Sequence, residues 1–184
     1  MRSSSSSSTT QPDASAPAFL ALMAQVRACT VCAAHLPHPP RPILRASPTA
    51  RLLIVGQAPG RRVHETGIPW NDPSGDLLRQ WLGMTRDAFY DVSRIAIVPT
   101  GLCYPGTVNG SDRPPRLECA PLWHPPLRAA MPDIRLTLLV GAYARRITWT
   151  NDAAARWPTR WRPGAILRRI ISRCRTPVRA IVYG

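Results

Sequence analysis

The sequence predicts an α/β fold built on a mainly parallel sheet, and three observations carry that expectation. Short β-branched and leucine runs each end on glycine or proline. Helix-like segments separate those runs. A chain of 184 residues with 45% apolar content is long enough for one globular domain of ordinary size.

In chain order, residues 3–8 are a serine homopolymer followed by Thr, Gln, Pro, Asp and Ala. This text is too polar and too simple to bury a face, so residues 1–17 are expected to be a disordered tail and the folded domain to span 18–146. Apolar residues recur at helical spacing over 19–26 and lead into Cys29 and Cys32. Pro37, Pro39, Pro40 and Pro42 then enforce an extended loop. Residues 51–55 read as a strand ending at Gly56, residues 95–98 as a second ending at Pro99, and residues 136–140 as a third ending at Gly141. A helix is expected over 75–83 with Ser74 as its cap, and another over about 118–131, interrupted near Pro125 and Pro126. In such folds ligands sit at the carboxyl ends of strands, which here carry residues 56–60, residues 99–103 and Gly141.

The net charge is +14, and all 24 basic residues are arginine. Arginine-rich surfaces bind nucleic acid through counterion release, which points to a polyanionic partner. Half of the excess lies in residues 147–184, which hold eight arginines and one acid, Asp152. The remainder, 16 arginines against nine acids, is basic without being extreme. Arginine without lysine suggests GC-rich coding DNA. No apolar run reaches the length of a membrane span, and the first 17 residues lack the apolar stretch of a signal peptide. A soluble, cytoplasmic, monomeric protein with no membrane partner is expected. Five cysteines in that compartment read as metal ligands, catalytic groups or buried thiols rather than disulfides.

Four of them fall as Cys29-x2-Cys32 and Cys103-x15-Cys119. A pair two residues apart can chelate one metal centre from a single turn, and a second pair folded beside it completes four thiolates. Any one alone reads as a small buried hydrophobe; the set reads as ligands. Spacing leaves structural zinc and an iron-sulfur cluster equally open, and Cys174 lies outside the set. Gly56, Gln57, Ala58, Pro59 and Gly60 directly follow a strand and make a stiff turn whose backbone amides can approach a ligand. Trp70 follows in Glu65-Thr66-Gly67-Ile68-Pro69-Trp70, where it can stack on a planar base or serve the core with equal ease. His64, near the loop, is a candidate for contacting a phosphate or base, against the plain reading of a surface histidine.

These motifs resemble the family 4, iron-sulfur type of uracil-DNA glycosylase. That family has a Gly-Glu-Ala-Pro-Gly loop, a Thr-Gly-x-Pro-Phe segment, an Ala-Gly-x-Leu-Leu helix start, and a CxxC with two further cysteines about fifteen residues apart. The resemblance covers residues 19–146 and runs without a gap from Gly56 to Leu78. It implies a three-layer α/β/α fold and a [4Fe-4S] cluster on Cys29, Cys32, Cys103 and Cys119, with zinc as the alternative. It also implies that residues 56–60 wall the scissile glycosidic bond and that Trp70 takes the place of the phenylalanine that stacks on uracil. The implied partner is uracil-containing DNA, single- or double-stranded. Gln57 stands where the family has Glu, and Pro99 where it has the Asn that reads the uracil edge.

The family's second catalytic motif, a His-Pro-Ser near the C-terminus, is absent, since no histidine follows His124. The genetic code supplies a reason. Residues 164–179 can be encoded so that the same DNA, started one base earlier, reads WRDFAAHHFPLPHPSP. Residues 157–163 permit LADTVAAW in that frame, and residues 146–149 permit HYL. The first two bases of most codons are fixed by the residues they encode, and these become the last two of each shifted codon. One base lost or unread near the Arg146 codon is therefore expected, with residues 147–184 an out-of-frame, disordered tail and the last strand of the sheet missing. The implied activity is hydrolysis of the N-glycosidic bond of deoxyuridine in DNA repair, impaired in this chain. The competing expectations are a non-catalytic iron-sulfur DNA-binding protein and a zinc-bound structural module.

Overall fold

The structure, a computed structural model, describes residues 15–145 and 178–182. Helix α1 (Ser15–Arg27) presents Phe19, Met23 and Val26 to the core at helical spacing. It begins inside the segment expected to be a tail, so Ser15, Ala16 and Pro17 are helical; residues 1–14 lie outside the described residues. After Cys29 and Cys32 a single 3-10 turn (Ala33–His35) leads into the proline-rich segment. Arg45 then exchanges two backbone hydrogen bonds with Ile97, at 2.9 and 2.7 Å.

Strand β1 (Leu52–Val55) is buried at all four residues, as befits the middle of a parallel sheet. It is followed by α2 (Arg61–Thr66), α3 (Pro73–Leu82), α4 (Arg86–Tyr90) and β2 (Ile95–Ile97). A hairpin of β3 (Thr107–Val108) and β4 (Ser111–Asp112) precedes α5 (Cys119–Ala129), β5 (Leu136–Val140), α6 (Ala142–Arg145) and β6 (Val178–Val182). The main sheet has the order β2-β1-β5-β6, with every pair parallel. Alternation along β1 sends Leu53 and Val55 to one face, where Phe19, Met23, Leu127 and Met131 meet them. Leu52 and Ile54 face the other way, onto Leu78 and Leu82 of α3 and Phe89 of α4. Helices thus cover both faces, and the three-layer α/β expectation holds.

Three local expectations are corrected. The cap of α3 is Asp72, which accepts from Gly75 N at 2.8 Å, while the Ser74 hydroxyl donates to that same carboxylate. Helix α5 runs through Pro125 and Pro126 without a break, because its Cys119, His124 and Leu127 are buried and that packing offsets the amide donors the prolines lack. The sheet is not short of a strand beside β5, since Val178–Val182 pairs with it from Leu136↔Val178 to Val140↔Val182. The other residues of the expected out-of-frame tail, 147–177 and 183–184, lie outside the described residues. Among the described residues, no helix is long and apolar enough to cross a membrane.

Candidate functional site

Residues 56–60 leave the carboxyl end of β1 and are held from the neighbouring strand end. Thr100 gives both its amide (2.9 Å) and its hydroxyl (2.8 Å) to the Gly56 carbonyl, and the Gly101 amide donates to the Gln57 carbonyl at 2.9 Å. His124 of α5 lies beneath this segment, its Nε2 donating to the Pro99 carbonyl at 3.0 Å. Burial pushes the His124 pKa down, so the ring is neutral at physiological pH. Pro99, Thr100 and Gly101 therefore form a rigid shelf under the loop, although the Pro99 position offers no side-chain donor.

Trp70 is brought to the loop. A Cβ on Gly56 would stand 2.8 Å from Trp70 Cζ2, so the indole lies directly on the first residue of the turn. Trp70 is also partly buried against the core cluster that contains Leu52, Ile54 and Leu78, so it serves the core as well. Its φ of 58° is a conformation that costs a bulky residue about 1–3 kcal/mol unless the surroundings impose it. They do: the buried Arg79 donates to the Trp70 carbonyl at 3.2 Å, and Tyr90 donates to the Pro69 carbonyl at 2.8 Å. Gly75 allows α3 to approach that carbonyl, since a Cβ there would lie 1.8 Å from the oxygen. Gly75→Ala is therefore expected to destabilise the fold by about 1–3 kcal/mol or more. A urea titration reads this, and an unshifted midpoint would mean that α3 does not seat Trp70.

His64 is not a free surface group. It stands half-buried in α2, with ring centroids 5.2 Å from His38 and 5.7 Å from Tyr104, and its carbonyl accepts from Arg41. Its Nδ1 is buried without a hydrogen-bond partner. Burial, then the charges of His38 and Arg41, hold its pKa below the ordinary value. On the same side, the β3–β4 hairpin is fastened to the loop: Gln57 Nε2 donates to the Arg113 carbonyl at 3.4 Å, and a Cβ on Gly60 would lie 3.1 Å from Asp112 Oδ2.

The four expected ligands, Cys29, Cys32, Cys103 and Cys119, line one cavity with Leu36, Pro42 and Trp123. Each sulfur faces an N–H donor. Trp123 Nε1 donates to Cys29 at 3.2 Å and the Leu102 amide to Cys119 at 3.3 Å. The Arg41 backbone serves Cys103 and the Arg116 side chain serves Cys32. Burial pushes the protein's own thiols up, to about 11 for Cys103 and about 12 for Cys119, so a bound cation would have to displace their protons. Among the described residues, no group of three or more His, Cys, Asp or Glu side chains is placed to hold a single metal ion.

The structure brings the loop and Trp70 together and gathers the four cysteines around one cavity; Thr100 lies in the strand-end segment 99–103 that the sequence singles out, whereas Asp112, Arg113 and His124 have no role in the sequence reading. Only the hairpin had a local signal, the Asn109-Gly110 pair of a tight turn. Residues 45–176 match the family model of the Uracil DNA glycosylase superfamily. The match leaves out Cys29 and Cys32 and runs past Arg146, where the resemblance was expected to end.

Proposed function

The chain belongs to the uracil DNA glycosylase superfamily, and on that premise we propose that it is a DNA-repair glycosylase of the iron-sulfur, family 4 type that excises uracil slowly for want of its leaving-group histidine. The observation that carries this reading is the backbone loop 56–60 at the end of β1 with the Trp70 indole on Gly56, both inside the matched region. A base must leave the stack to reach such a loop. The indole then supplies a plane for it and the loop amides a wall. The departing uracil carries negative charge at N1, and loss of one donor to such an anion lowers rate by about 10²- to 10³-fold. His124 does not substitute, because it is buried and engaged with Pro99.

The four thiols suit a cluster better than a zinc ion. A single zinc needs every sulfur about 2.3 Å from one point, whereas a [4Fe-4S] cube binds each thiolate at a separate iron and so takes ligands spread around a cavity. The four N–H donors favour thiolate sulfur. When bound, the cluster would supply a cross-link between the segment after α1 and residues 103–119. The chain's own residues 99–103 would pass that rigidity to the loop.

The test is single-turnover excision from a single-stranded oligonucleotide carrying one uracil, with protein in excess. Slow excision is expected; salt-sensitive binding without excision would make the protein a DNA binder instead. Trp70→Ala, made in a frame-restored protein, is expected to weaken capture of uracil DNA by about 1–3 kcal/mol, more than it lowers stability. A variant that simply unfolds would make Trp70 a core residue.

A further inference from the structure

We propose that Asp112 is the catalytic carboxylate that accepts the proton of the attacking water, an assignment that rests on the glycosylase reading above. In the hydrolysis a water oxygen bonds to the deoxyribose C1′ while the C1′–N1 bond breaks and its electron pair leaves on the uracil. The water must give up a proton, and a base within hydrogen-bond reach speeds that step by about 10²- to 10⁴-fold. The loop itself holds no base, for Gln57 is an amide.

Asp112 reaches the loop from outside it. Its Oδ2 lies 3.1 Å from where a Cβ on Gly60 would stand, so the glycine leaves this oxygen room against the loop. Other carboxylates are engaged elsewhere: Glu65, Asp76 and Glu118 pair with Arg61, Arg79 and Arg116, and Asp72 caps α3. The orientation of Asp112 is fixed by a chain of donors. A carboxylate only accepts, so Thr107 Oγ1 donates to Oδ1 at 3.2 Å, and the Tyr104 hydroxyl must in turn donate to Thr107. This holds Oδ1 and turns Oδ2 to the loop. The support is a tight turn: Asn109 and Gly110 both have positive φ (50° and 78°), the geometry that sets Thr107 opposite Asp112. The bond from Gln57 to the Arg113 carbonyl fastens the hairpin to the loop beside it.

The experiment uses the full chain, in excess over a uracil-containing single strand. Asp112→Asn is expected to lower the excision rate by about 10²-fold or more, with an unchanged dissociation constant for the same oligonucleotide. Thr107→Val, which removes only the orienting donor, should fall between variant and parent. Formate added to Asp112→Ala should restore part of the rate and leave the parent unaffected, a response that a misfolded protein does not give. Equal rates for parent and Asp112→Asn would overturn the assignment while the glycosylase reading stands. Bound DNA with no excision by the parent would overturn that reading, and this assignment with it.

Discussion

Protein purified without oxygen is expected to be brown, with iron and inorganic sulfide and an absorbance band around 400 nm from thiolate-to-iron charge transfer. Cys29→Ser and Cys103→Ser should each bleach it, since one lost ligand opens a corner of the cluster, while Cys174→Ser should leave the colour intact. The expected effect on stability is also large. Cys29 and Cys32 lie just after α1, and Cys103 and Cys119 bracket the hairpin that meets the loop, so the cluster would close three separate stretches of chain onto one point. Against a net stability of about 5–15 kcal/mol, losing such a cross-link is expected to shift the whole unfolding transition. Stoichiometric zinc with no iron would assign the cavity to a structural zinc site.

What was legible in the sequence was whatever is local. A run such as Leu136–Val140 declares a buried strand by composition alone, and the loop of residues 56–60 is a continuous word. The cysteines were legible because their chemistry is narrow. Asp112 was not, because nothing near it in sequence says that its hairpin folds back onto Gly60; topology brings them together across 52 positions of chain. His124 was hidden for a similar reason, since a histidine between Trp123 and two prolines gives no sign that Pro99 is its partner. The helix through Pro125 and Pro126 was not legible because local propensity carries no sign of the buried face that outweighs it. Asp72 was missed as a cap because Ser74 lay nearer the expected start, and the hydroxyl serves the carboxylate instead.

Restoring one base near the Arg146 codon is expected to raise uracil excision by at least about 10²-fold, the loss typical of one missing donor to a developing anion. The restored text contains His-Pro-Ser, whose histidine would face the charge leaving on uracil while residues 56–60 hold the sugar side. Strand β6 and the family match to residue 176 both bear on this reading. Strand β6 is compatible with it, because without that strand the edge of β5 would be a row of unpaired amides and carbonyls, which a stretch containing Val178, Ile181 and Val182 suits by β-propensity. Coding DNA does decide it: third bases that cannot yield the shifted reading would end the proposal. Kinetics supply an independent check. In the restored protein, changing the new histidine to alanine should return the rate to that of the 184-residue chain, since both then lack the same donor. Equal rates before and after restoration would mean that this chain stabilises the leaving uracil with a group other than that histidine.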